Sequence, residues 1–220
     1  MPKTIILIPS RMSASRLPGK PLLRINDLPI ISHVVNKAKK SNIGRVVVCT
    51  EDEEILNEVK KNGGEAILTS NNHKTGTDRI YEALKKSNIK NVDLIMNLQG
   101  DEPSIDIEDI IDLNKKMIKF QSKLGTLAAR INNSKDLQNE NIVKVITENS
   151  LEEHSFPKAV SFFRKSEDIN NVYHHVGVYC YSTETLDKFV NLKQSKNEIK
   201  NRLEQLRALD NNIDINVSLA

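Results

Sequence analysis

Three cations crowd one short segment. Arg11, Arg16 and Lys20 fall within PSRMSASRLPGKPL (residues 9–22), between small residues and prolines, directly after the apolar run TIILI. A segment leaving a buried strand is a loop at that strand's carboxyl end, where open α/β sheets bind ligands. Arginine grips phosphate oxygens bidentately, and lysine adds a point charge. Free main-chain amides around Gly19 would add donors. The chemistry suits a polyphosphate. The segment is not a Walker A loop: Pro21 stands where Ser or Thr would follow the lysine, and Ala14 where a glycine would be. Nor is it a GxGxxG loop. An ordinary exposed basic loop is the plain alternative.

A second segment carries the opposite charge. NLQGDEPSI (residues 97–105) also follows an apolar run and presents Asp101 and Glu102. Magnesium takes one or two carboxylates and completes its octahedron with water and phosphate oxygens. These acids could therefore hold a divalent cation over a triphosphate, or simply cap the next helix. The cationic and acidic loops together suggest a magnesium–nucleotide enzyme.

Such loops need a sheet to position them. TIILIP (4–9), RVVVCT (45–50), EAILT (65–69) and VDLIMNLQG (92–100) read as strands. Helical periodicity fits 29–40, 52–64, 107–120 and 77–87, the last capped by Thr77. Continuous apolar strands between amphipathic helices predict an α/β fold, with a mostly parallel central sheet and helices on both faces. In the second half, GTLAAR, NIVKVIT, YHHVGVYCYS and IDINVSLA read as strands, with a helix from Thr183 and another over 197–212. SFPKAVSFFRKSEDINN (155–171) reads as a basic loop. No repeat or linker divides the chain, so residues 1–220 are expected to form a single domain.

Composition narrows the partners. The 220 residues carry 32 Lys and Arg against 29 Asp and Glu, a net charge of only +3. That balance, with 4% aromatics and no basic stripe, disfavours nucleic acid. Cys49 and Cys180 have no CxxC partner, which predicts reduced core thiols and not a zinc site. No apolar run suits a signal peptide or a membrane span, so a soluble cytoplasmic protein is expected.

At this point the motifs resemble a known family. The two loop segments, with HKTGTDR (73–79), HHVGVYCY (174–181) and LEQLRAL (203–209), resemble the 3-deoxy-manno-octulosonate cytidylyltransferases, or CMP-Kdo synthetases, essentially from end to end. The first motif is shared in outline with other sugar nucleotidyltransferases; the set of five is more specific. The resemblance implies a nucleotide-diphospho-sugar transferase-like sheet with a smaller sheet extension, used for dimerisation, in a homodimer. It implies CTP and Kdo as substrates, CMP-Kdo and pyrophosphate as products, Mg2+ as cofactor, and a place in lipopolysaccharide synthesis. By the same resemblance Arg11, Ser15 and Lys20 lie along the CTP phosphates, with Gly76 and Arg79 near the nucleotide. Arg11, Lys20 and Asp101 carry catalysis, and Asp101 ligates the metal. Gln99 sits beside the sugar; Arg164, His175, Tyr179, Glu204 and Gln205 line the Kdo pocket. The Arg164 match is the loosest, because SFFRKS departs from the family's phenylalanine-serine-arginine pattern.

Two further departures stand out. Ser10 replaces the family's usual alanine, a small change expected to leave phosphate binding intact. The family pattern also continues to a segment resembling GVDTPEDL, whose aspartate is the second metal ligand. The sequence stops at Ala220 without it, so either it is incomplete or this copy lacks a ligand. A cytidylyltransferase for 8-amino-Kdo or a sialic acid, and a non-catalytic CTP-binding homologue, therefore stay open. For His175, a hydrogen-bond donor that orients the sugar is favoured over a general base, because a metal can lower a hydroxyl's pKa without a histidine.

Overall fold

The computed structural model describes residues 2–13, 17–133, 135–165 and 170–220. The chain forms two compact units, Met1–Ile111 and Asp112–Ala220. Among the described residues, no helix is long and apolar enough to cross a membrane.

The first unit is built on four parallel strands. β1 (Thr4–Ser10) pairs with β4 (Gly44–Thr50) on one side and β6 (Leu94–Asn97) on the other, and β4 pairs with β5 (Ala66–Leu68). Ile5, Ile6, Leu7 and Ile8 are all buried, as are Val46, Val47, Val48, Ile95 and Met96. This is why the strands read as unbroken apolar runs: helices cover both faces. α1 (Ile30–Lys40) connects β1 to β4, α2 (Glu53–Lys61) connects β4 to β5, and α3 (Gly76–Lys86) returns from β5 to β6. The order β6-β1-β4-β5 therefore reverses direction at β1. With right-handed crossovers, α3 lies on the face opposite α1 and α2. The carboxyl ends of β1 and β6 flank the switch point, where such sheets bind ligands.

The second unit is mixed. β7 (Leu124–Ala129) pairs in parallel with β11 (Asn216–Leu219) and antiparallel with β10 (Val172–Ser182). β8 (Lys144–Thr147) pairs antiparallel with the start of β10 and with β9 (Ala159–Phe163). Helices α4 (Ile107–Lys119), in which the boundary between the units falls, α5 (Lys135–Gln138), α6 (Thr183–Val190), α7 (Lys196–Asn201) and α8 (Leu206–Asp210) complete the chain. The α/β class expected from the sequence is the class observed.

Three local expectations are corrected, and one small hairpin adds to them. The basic segment 155–171 contains strand β9, in which Val160 is exposed and Ser161 half-buried between buried Ala159 and Phe162, so burial does not alternate. The expected helix 197–212 is two helices, broken where Arg202 takes φ 54°. The break lets Glu198 accept two hydrogen bonds from Arg207, at 2.6 and 2.8 Å. In a continuous helix residues nine apart lie about 13.5 Å apart along the axis, out of reach. Thr75, not Thr77, caps α3, accepting from Asp78 N at 3.1 Å. A small hairpin, β2 (Arg24–Ile25) and β3 (Leu28–Pro29), turns through Asn26 and Asp27, both at positive φ. Its two-residue strands carry no periodic signal.

Candidate active site

The loop after β1 closes on itself. Met12 N donates to Asp52 Oδ2 at 2.8 Å, and Gly19 N donates to Met12 O at 3.0 Å. Gly19 sits at φ 74°, a left-handed conformation that glycine takes without strain. Lys20 then opens a turn of 3-10 helix, Lys20–Leu22, anchored by buried Pro21. The two ends of the loop thus bring Arg11 and Lys20 to one cavity of about 570 Å³. Arg11 is exposed, and no hydrogen bond or ion pair joins its side chain to the described residues. Ser15 and Arg16 lie outside the described residues.

The loop after β6 supplies the acid. Gln99, Gly100 and Asp101 line the same cavity. A side chain at Gly100 would put its Cβ 2.9 Å from Pro9 O, so only glycine lets the β1 and β6 ends approach this closely. Lys20 Nζ donates to Asp101 Oδ2 at 2.8 Å, with both side chains partly exposed. Burial, then the Asp101 charge, raises the neighbouring Glu102 carboxyl, against the pull of Lys20. Among the described residues no three His, Cys, Asp or Glu side chains converge to hold a metal. A lone hard carboxylate at Asp101 fits magnesium, which draws most of its ligands from phosphates and water.

The third wall comes from the β5–α3 loop. His73, Thr75, Gly76 and Arg79 line the cavity, and Gly76 lies against Pro9. Arg79 is buried and already engaged: it donates to Glu51, to Thr69 Oγ1 at 2.7 Å and to Ser70 O at 3.3 Å. That ties the β4 and β5 ends to α3, so Arg79 shapes the wall more than it offers a charge. Arg11, Lys20, Gly76, Arg79, Gln99 and Asp101 are therefore brought together. Ser10 also lines the cavity, and its buried Oγ has no partner among the described residues.

The remaining candidates belong to the second unit. His175 and Tyr179 share one face of β10, and a bulge between Val176 and Tyr179 sets them opposite Ala128 and Thr126, only two residues apart on β7. Their rings are 5.4 Å apart, in a series that runs from Phe162 through Tyr181 to Phe189, over which Arg207 stacks at 4.7 Å. The Thr126 hydroxyl gives its proton to Val178 O at 2.7 Å, so at 3.0 Å it accepts from His175 Nε2–H. In that arrangement the lone pair of the neutral ring is on Nδ1. Burial, then His174, holds its imidazole down at about 3, which makes it a weak base at neutral pH. Burial, then Tyr181 and Glu204, raises the Tyr179 phenol well above its usual range. Arg164 is held by three main-chain carbonyls: Glu140 at 2.9 Å, Asn201 at 3.2 Å and Arg202 at 3.2 Å. The last two precede Glu204 and buried Gln205.

Residues 5–215 match the family described as Cytidylyltransferase. The chain belongs to the cytidylyltransferase family. It is 40% identical over 220 residues to a 3-deoxy-manno-octulosonate cytidylyltransferase of Nitrobacter hamburgensis, covering 99% of this chain and 84% of that one. It is 42% identical over 228 residues to the protein so named in Thermodesulfovibrio yellowstonii, covering 98% and 89%. A solved structure of CMP:2-keto-3-deoxy-manno-octonic acid synthetase complexed with CTP matches 99% of this chain and 90% of that one. The TM-score is 0.90 at 33% identity.

Two residues of this cytidylyltransferase chain escaped the sequence reading. Thr126, which sets the His175 tautomer, lies 49 residues away in sequence. Glu82, which binds His73 Nε2, lies nine residues on. No motif spacing announces either; only an acid on the inner face of α3, one turn past Arg79, hints at the second.

Proposed function

We propose that the chain transfers CMP from CTP to 3-deoxy-D-manno-octulosonate (Kdo), giving CMP-Kdo and pyrophosphate for lipopolysaccharide synthesis. The observation that carries this is the Lys20–Asp101 pair at 2.8 Å, beside Arg11, in one cavity at the switch point. In this reading residues 1–220 serve one nucleotidyltransferase activity. The protein works in the cytoplasm as a homodimer.

The reaction is an in-line displacement. The anomeric oxygen of Kdo forms a bond to the α-phosphorus, the bond to the α–β bridging oxygen breaks, and pyrophosphate leaves with that electron pair. The hydroxyl proton passes to solvent. Such chemistry asks for positioning and charge neutralisation more than covalent help. Arg11 and Lys20 hold the phosphates and stabilise charge moving onto the leaving group. Asp101 would hold magnesium, which supplies further neutralisation of that charge when bound. His175 accepts a sugar hydroxyl at Nδ1, and Tyr179, Glu204 and Gln205 supply further polar contacts. Arg164 would meet the Kdo carboxylate by exchanging main-chain carbonyls for a charged partner.

The test is pyrophosphate release from CTP and Kdo with magnesium, omitting each component in turn, followed by 8-amino-Kdo and a sialic acid in place of Kdo. Release that needs all three components and prefers Kdo supports the reading. CTP binding without release under any sugar acid overturns it.

A further inference from the structure

His73 lines the nucleotide cavity but has no part in the mechanism above. The strand order β6-β1-β4-β5 places Asp101 and Lys20 over β6 and β1, whereas the His73 loop leaves β5. Neighbouring strands are about 4.8 Å apart, so roughly two to three such spacings separate the two loop origins. That is about the reach of an extended nucleoside triphosphate. With phosphates at the cationic end, the base falls against the wall of His73, Thr75 and Gly76.

That wall is rigidly built. Glu82 on α3 accepts from Ser70 N at 2.9 Å, from Lys86 Nζ at 2.5 Å and from His73 Nε2. Ser70 O in turn accepts from buried Arg79. Burial pushes the Glu82 carboxyl up, but hydrogen bonds from Lys86, then His73 and Ser70, outweigh it and bring it to about 2. An ionised carboxylate has no proton to share, so the proton of this pair is on Nε2. In the neutral ring Nδ1 then carries a lone pair. The hydrogen bond of His73 to the described residues runs through Nε2, which leaves Nδ1 for a ligand.

We infer that His73 determines base specificity: its Nδ1 accepts a hydrogen bond from the exocyclic amine of cytosine and repels the keto oxygen that uracil presents at the same position. The inference rests on the nucleotide reading above. Cytosine N4 is a donor where uracil O4 is an acceptor, so one fixed acceptor separates them without a change of shape. Glu82 acts as the positioning residue that keeps the ring in the accepting tautomer.

Binding of CTP and UTP, each with magnesium and without sugar acid, tests this by calorimetry. Wild type should favour CTP, and His73→Leu should shrink the CTP-to-UTP ratio by about tenfold or more, chiefly through weaker CTP binding. A ratio unchanged in His73→Leu overturns the inference. Wild type that binds neither nucleotide sinks the nucleotide reading instead, which separates the two failures. Nitrogen-15 spectra of histidine-labelled wild type need no variant to fold. His73 should show the Nε2–H form, and its Nδ1 signal should move on CTP and stay on UTP. An Nδ1–H form, or the same shift with both nucleotides, overturns the inference.

Discussion

Lys20→Ala should separate catalysis from stability. In the ligand-free protein the lysine pairs with Asp101 at 2.8 Å, but the side chains are 33% and 47% exposed. A pair so open to water contributes no more than about 1 kcal/mol. The local backbone does not depend on the ammonium: Leu23 N donates to Lys20 O, and buried Pro21 anchors the turn. Removing the side chain should therefore lower Tm by no more than about 4 °C for a chain of this size. Turnover is another matter. A preorganised donor to charge developing in the transition state is worth about 10²-fold or more, near 2.7 kcal/mol. The assay is continuous pyrophosphate release from CTP and Kdo, with kcat and KM resolved separately, beside a thermal melt. We expect kcat to fall about 100-fold while the melt barely moves. Near-normal kcat would refute the role of Lys20. A large loss of Tm would refute the claim that the ion pair is structurally minor.

Three shorter predictions follow from the same geometry. Asp101→Asn should move the magnesium titration of activity to higher metal by about tenfold, or 1.4 kcal/mol; an unchanged titration would remove Asp101 from the metal site. Ser10→Ala should stabilise the protein by about 1 kcal/mol, because it deletes a buried hydroxyl that has no partner among the described residues; a urea midpoint that fails to rise would show that the hydroxyl is satisfied. Folded His175 takes a proton only near pH 3, whereas an unfolded imidazole takes one near 6.5. The unfolded state binds the extra proton between those values, so this stability is complete above about pH 6.5 and is lost as pH falls toward 3. Replacing His175 with Gln should flatten that acid slope, and an identical slope would contradict the burial of a neutral ring.

The legible part of this protein was its parallel half. TIILI, RVVV and LIMN are buried on both faces, so periodicity does not blur them, and the loops they launch carry charge in short, readable clusters. Lys20 and Asp101 could be paired in thought before the structure showed them 2.8 Å apart. The illegible part has a common cause. β9, the hairpin at Asn26 and Asp27, and the break at Arg202 depend on partners distant in sequence or on positive φ at residues other than glycine. Arg79 shows the limit within the site. Its position in GTDR pointed to the nucleotide, yet Glu51 and Thr69, which take up its guanidinium, sit on separate elements. The tautomers of His73 and His175 likewise follow from single oxygens that no motif contains.

The two cysteines also give the chain a pair of natural clocks. Cys49 lies in β4 of the first unit and Cys180 in β10 of the second; both are free and fully buried. Burial pushes the Cys49 thiol up to about 12 and raises that of Cys180 as well. Only the thiolate reacts, so each sulfur stays silent until its own half opens to water. The chain has no tryptophan to report such opening by fluorescence. Disulfide-exchange labelling, resolved by peptide mass, would time the breathing of each half independently and show whether nucleotide quiets one half alone or both.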